Sequence, residues 1–142
     1  MQNHQALGLD KGIGRIGWRW LPAVMYLALI HLASSGNPGD VGLSLPQGVD
    51  KLAHLCEFGL LTVLFWRPLR DTFPNFPEMR IAAILLIFVA MNGVIDEFHQ
   101  SFIAGRESSW ADGAADLLGG AVAIAWLLHR EKARVKDPDD TY

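Results

Sequence analysis

The sequence contains one cysteine, Cys56, in 142 residues. A lone thiol excludes an intramolecular disulfide and leaves no CxxC pair for metal or redox chemistry, so Cys56 is expected to be a small, buried apolar residue. Charge is also scarce: 19% of residues are charged and the formal net charge is -3. The basic residues sit in short terminal and loop clusters with no continuous face, which argues against a nucleic-acid partner. A cleavable signal peptide is not expected. The first apolar stretch begins near Trp18 and ends in Ala33-Ser34-Ser35 without an A-x-A site, and is expected to persist as a first helix.

Apolar residues are abundant, at 51% of the chain, and the mean hydropathy is +0.21. They concentrate in four segments, Trp18 to Ala33, Leu52 to Trp66, Ile81 to Ile95 and Gly113 to Leu128, separated by Pro38, Gly39, Pro46, Pro68, Pro74, Pro77 and Gly105. Segments of this length cover only about 22–24 Å of a hydrocarbon core roughly 30 Å thick, so each must extend by a turn. The neighbouring turns supply it if Asp50, His54, Glu57, Asp96, Gln100 and Asp116 face the bundle interior, where intramembrane polar groups are normally found. The expected fold is all-α, a four-helix transmembrane bundle. A soluble helical bundle is the competing fold. The expected organisation is a flexible N-terminal tail at 1–14, a transmembrane domain at 15–130 and a flexible C-terminal tail at 131–142.

Ten of the twelve basic residues fall on one side of a four-pass trace: Lys11, Arg15, Arg19, Arg67, Arg70, Arg80, Arg130, Lys132, Arg134 and Lys136. Lys51 and Arg106 are on the other. Cytoplasmic flanks retain Lys and Arg, so both termini are expected to be cytoplasmic, with the loops Ser34 to Val49 and Ser101 to Ala111 outside. Trp18, Trp20, Trp66 and Trp126 then fall towards the inner interface and Trp110 at the outer one.

This orientation brings three polar groups to one membrane level. Asp50, His54 and Glu57 share a face at i,i+4 and i,i+3 spacing, continued inward by Phe58 and Leu61. Asp96 and Gln100 are i,i+4 neighbours, with His99 at i+3 from Asp96, and Asp112 and Asp116 repeat the i,i+4 spacing ahead of Gly119 and Gly120. Those two glycines, with Gly59 and Gly93, are expected to admit close helix packing. Ser109 and Asp112 have the S-x-x-D form of a capping box, which starts the fourth helix about Trp110. Arg106 is the natural countercharge for Asp50, Asp96 or Asp112.

The string Asp50-Lys51-x-x-His54-x-x-x-Phe58, then Asp96-Glu97-x-x-Gln100, then Gly105-Arg106-x-x-Ser109-x-x-Asp112 and a closing Gly119 resembles the VanZ-like membrane proteins. The resemblance covers most of residues 15 to 130. It implies a multi-pass protein of the bacterial inner membrane. The namesake is linked to teicoplanin resistance, but the family implies no agreed reaction, and resistance is not transferred to this chain. Asp116 departs from the family pattern, which more often has Asn there.

Three function classes fit these residues. One is a protein whose outward polar cluster of Asp50, Lys51, His54, Asp96, Glu97, Gln100, Arg106, Ser109, Asp112 and Asp116 binds an anionic or lipid-linked envelope molecule. Another is a hydrolase or group transferase with His54 as base beside Asp50 or Asp96, although a nucleophile is not evident. The third couples the carboxylates to proton or ion movement. His54 suits a base, a metal ligand or a strut bonded to Asp50 or Asp96. His54, Asp96, His99 and Asp112 can be assembled into a metal site, but their spacing does not demand one. Lys51 either binds an anion or snorkels to headgroups. Arg106 either holds phosphate or carboxylate, or neutralises Asp96 and Asp112. Glu97, 100° around the helix from Asp96, is not expected to share its narrow face. Glu57 is expected to be paired or protonated, His99 to be interfacial, and His31 to have no partner of its own. The bilayer is the expected partner; the sequence gives neither cofactor nor oligomeric state.

Overall fold

Each apolar segment extends into its flanking turns. In the computed structural model the chain forms four α-helices: α1 Asn3–Ser34, α2 Val49–Thr72, α3 Glu78–Gln100 and α4 Trp110–Lys136. The structure describes the backbone of residues 3–36, 48–103 and 109–136 and the side chains of 17–36, 48–103 and 109–134. Gly105 and Arg106 lie outside the described residues, as do the side chains of Lys11 and Arg15. At 24 and 23 residues, α2 and α3 are about 36 and 35 Å long, enough to cross the hydrocarbon core.

Three of the four helices, α2, α3 and α4, are long and apolar enough to span a membrane. The described part of α1 is diluted by Arg19, Pro22 and His31 and is not among them. Helix boundaries differ from the expected ones in three places. Helical backbone already begins at Asn3, within the expected tail, and α4 continues to Lys136. The run Arg130-Glu131-Lys132-Ala133-Arg134 consists of good helix formers, which explains the extension. Pro68, expected in a loop, lies inside α2. Its missing N–H costs one helix bond, but the last turn is held by burial of Pro68 and Leu69 and by the Thr72 hydroxyl donating to the Pro68 carbonyl at 2.8 Å.

The inner faces change chemistry along their length. On α3, Ile81, Leu85 and Val89 are buried at one end and Asn92, Asp96 and Gln100 at the other. On α4 the inner face runs the opposite way, from Asp112 and Asp116 through Gly119 and Gly120 to Ile124 and Leu127. On α2 it runs from His54 to buried Phe58, Leu61, Phe65 and Leu69. One end of the bundle is therefore polar inside and the rest apolar. Trp20, Phe65 and Phe88 tie α1, α2 and α3 together, with ring centroids 5.7 and 4.7 Å apart.

The outer faces are apolar. Ile87, Met91, Val94 and Phe98 form one stripe on α3 and are 59–69% exposed, while Asp96 and Asp116 are 1% and 0% exposed. Apolar residues outside and carboxylates inside invert the arrangement of a soluble bundle and match a lipid-facing one. Cys56 belongs to this surface: it is exposed, not buried, because the tightly packed face of α2 is the one through Phe58 and Leu61. Trp66 is buried at 4% exposure, whereas Trp18 and Trp110 are exposed.

The end opposite the polar cluster is basic. Arg19 pairs with Asp71, the Trp20 indole N–H donates to the Thr72 hydroxyl at 3.1 Å, and Arg70 lies 2.9 Å from Glu78. A cleft of about 560 Å³ opens there between α2 and α4, lined in part by Arg67, Arg70, Arg130 and Arg134. It contains no His or Cys and is remote from the polar end.

Candidate functional site

The polar end is built from four helix termini. On α3, Asp96 accepts a hydrogen bond from the Ser34 hydroxyl of α1 and one from the Gln100 amide at 2.7 Å. The same amide donates to Ser34 Oγ at 2.9 Å. His31 Nε2 is 3.4 Å from Asn92 Oδ1 and its Nδ1 is 3.7 Å from Asp96 Oδ1. His31 therefore has partners on α3, contrary to expectation. Asn92 donates to the Phe88 carbonyl at 2.8 Å, which completes the group. Ser34 and Asn92 were not legible as members. The available signal was the register of Ser34, which follows Ala23 and Ile30 on one buried face at i+11 and i+4 spacing.

The second half of the cluster joins α2 to α4. His54 Nδ1 lies 2.9 Å from Asp116 Oδ1, so its partner is neither Asp50 nor Asp96. The helices approach closely here because Gly119 meets the Leu55 backbone, and Gly93 leaves room on α3 for the Asp116 carboxylate. Lys51 bridges Asp50 at 2.9 Å and Asp112 at 3.1 Å, linking the starts of α2 and α4. It is an ion-pair member. Ser109 caps α4, its hydroxyl accepting from the Ala111 N–H at 3.2 Å. The reciprocal arm of the expected capping box is replaced: the Ser109 N–H donates to Glu97 Oε2 at 2.6 Å, not to Asp112.

Glu97 also departs from the helical-wheel expectation. One His54 ring nitrogen and one oxygen each of Asp96 and Glu97 lie within 4.8 Å of one another. A 100° separation at the backbone thus does not keep the two carboxylates apart at the helix end. His99 is exposed and does not join this group. Buried oxygens of Asp50, Glu97 and Asp116 (Oδ1, Oε1 and Oδ2) have no hydrogen-bond partner among the described residues, and Asp112 Oδ1 has only the Lys51 ammonium, at 3.1 Å.

The VanZ/LLP1 family model matches residues 11–130, which takes in all four helices and this cluster. The chain belongs to the VanZ/LLP1 family. Neither a curated protein nor a solved structure matches it. In this VanZ/LLP1 membrane protein the described motif residues are gathered at one end: Asp50, Lys51 and His54 at the start of α2, Asp96, Glu97 and Gln100 at the end of α3, and Ser109 and Asp112 at the start of α4. Asp116 is the residue that holds His54.

Proposed function

We propose that this VanZ/LLP1 protein crosses the bacterial inner membrane four times, with α1 as the additional span and both termini cytoplasmic. Its polar end then faces outward and binds an anionic, lipid-linked molecule of the cell envelope. Lys51, together with Arg106 from the following loop, would meet the acidic group of that molecule, and the apolar outer faces would accompany its chain into the bilayer.

The observation carrying this reading is that the two halves of the cluster differ in completeness. Ser34, Asp96, Gln100, His31 and Asn92 are mutually partnered, as expected of a network that fixes helix register. The α2–α4 half, together with Glu97 of α3, holds buried carboxylate oxygens on Asp50, Glu97 and Asp116 that have no hydrogen-bond partner among the described residues. Buried polar groups are nearly always paired in a purely structural network, so this half fits a ligand-binding site. The oriented His54–Asp116 pair favours a second reading, a hydrolase or group transferase in which Asp116 positions His54 as the base.

Two measurements test the primary reading. Reporter fusions after Pro74 and at the C-terminus should report cytoplasm, and one near Gly39 should report the outside. An outside signal from the Pro74 fusion would overturn the topology. Native mass spectrometry of the detergent-extracted chain should detect a retained phosphate- or carboxylate-bearing lipid. Arg106→Ala should lose that lipid while melting like the wild type. A wild-type chain that carries no such lipid, or a variant that keeps it equally, would refute binding at this end.

A further inference from the structure

We infer that His54, Asp96 and Glu97 form a site for a divalent cation of the Zn²⁺ or Mn²⁺ class, which deepens the reading of this end as a ligand site and rests on it. The three donor atoms come from the facing ends of α2 and α3 and lie within 4.8 Å of one another. Metal–ligand bonds of about 2.0–2.2 Å in a tetrahedral site place donor atoms roughly 3.4 Å apart. Closure by up to about 1.4 Å, through side-chain rotations, therefore completes the set. One imidazole and two carboxylates are harder than a thiolate site and softer than the all-oxygen cages of Ca²⁺ and Mg²⁺, which selects the intermediate divalent ions.

The outer hydrogen bonds point the same way. Metal-binding histidines usually commit their second ring nitrogen to a carboxylate or carbonyl, and binding carboxylates are themselves held. Here Asp116 engages His54 Nδ1, an outer carboxylate contact of the kind that orients a metal-binding imidazole. The Ser109 N–H holds Glu97 Oε2 and leaves Oε1, which is buried and has no hydrogen-bond partner among the described residues. Ser34 and Gln100 hold Asp96. Each proposed ligand thus already has an orienting contact. An independent indication comes from charge. Asp50, Asp96, Glu97, Asp112 and Asp116 converge at this end, and Lys51 is the one Lys or Arg among the described residues there. Asp116 is fully buried, and its Oδ2, which has no hydrogen-bond partner among the described residues, faces α3 at Gly93, one turn before Asp96. A dication would offset this excess of negative charge. With three protein ligands it would keep a coordination position open, so that a phosphate oxygen could bind it beside Lys51.

The test uses the full chain in detergent, stripped with a chelator and titrated with Zn²⁺ alone. Saturable uptake of one ion per chain is expected. Uptake should be lost in His54→Gln and Glu97→Gln, weakened about 10–100-fold in Asp116→Asn, and unchanged in His99→Gln, with melting curves reporting whether each variant is folded. Absence of saturable uptake, as protons alone neutralising the cluster would give, overturns the site; so does uptake unchanged by Glu97→Gln. X-ray absorption at the zinc edge of the wild-type complex needs no variant. It should show a nitrogen and oxygen shell containing one imidazole and no sulfur, and a shell without imidazole would also overturn the site. Lipid retention is read separately. A lipid-retaining chain that takes up no zinc would sink the metal site alone, whereas zinc uptake without any retained lipid would sink the envelope-ligand reading and leave the metal site standing.

Discussion

Replacing Gly119 with leucine is expected to disrupt the bundle more than any other single change on α4. A Cβ at this position would lie 2.1 Å from the Leu55 carbonyl oxygen and 2.9 Å from its carbonyl carbon. Both are backbone atoms and cannot rotate away, so α2 and α4 would have to separate. Overpacking of side chains costs about 1–3 kcal/mol and occasionally more; a backbone-to-backbone obstruction places Gly119→Leu at or above about 3 kcal/mol, with Gly119→Ala also destabilising. Gly120→Ala should be milder, because its obstruction is the Val89 side chain at 2.9 Å. Gly17→Ala is the control. Nothing lies within 4 Å of its added methyl, and alanine is favoured over glycine in a helix by about 1 kcal/mol. Unfolding in a denaturing detergent titration measures all four variants. A Gly119→Leu chain that unfolds with the wild type would show that α2 and α4 do not approach as described.

The same contact explains how the helix packing makes the site. Leu55 follows His54 directly, and Gly119 lies one turn beyond Asp116, so the backbone contact fixes the separation of the His54–Asp116 pair. Separating α2 from α4 would weaken the polar cluster without altering any polar residue. Glycine is therefore part of the machinery here through what it lacks.

The helices and their polar end were legible because apolar length and i,i+4 polar spacing survive in a single sequence. Asp96 and Gln100, and Asp112 and Asp116, do lie on buried faces as their spacing indicates. Partner choice was not legible. Spacing says that His54 looks inward but not whether it meets Asp50, Asp96 or Asp116; that depends on the offset between α2 and α4, which Gly119 and Leu55 set in three dimensions. The contribution of α1 was hidden for another reason. Ser34 and His31 end an apolar stretch, where a serine and a histidine carry no pattern of their own, and only the arrival of Asn92 and Asp96 gives them partners. Glu97 was misplaced because a helical wheel records where Cβ points, whereas a glutamate carboxylate extends beyond that direction. Cys56 was misplaced because burial tendencies drawn from soluble cores fail on a surface that faces lipid.

Removing the His54 imidazole is expected to destabilise the protein by about 3–5 kcal/mol, the usual result of stripping one partner from a buried ion pair. Asp116 is 0% exposed and its Oδ2 already has no hydrogen-bond partner among the described residues, so His54→Ala would leave both carboxylate oxygens uncompensated. Asp116→Asn should cost less, because an uncharged amide needs less compensation and still meets His54. Combining His54→Ala with Asp116→Asn should recover much of the single-variant loss, with a coupling on the order of 1–3 kcal/mol. Lys51→Ala provides contrast within the cluster: its side chain is 44% exposed, and loss of its contacts with Asp50 and Asp112 should leave melting close to the wild type. Thermal unfolding of these four variants in one detergent gives the cycle. Recovery in the double variant would establish that the pair holds α2 against α4 through its charge. A His54→Ala protein as stable as the wild type would mean that Asp116 is already neutral before the imidazole is removed, and a double variant no better than His54→Ala would place the loss in packing around the ring instead of in the unpaired carboxylate.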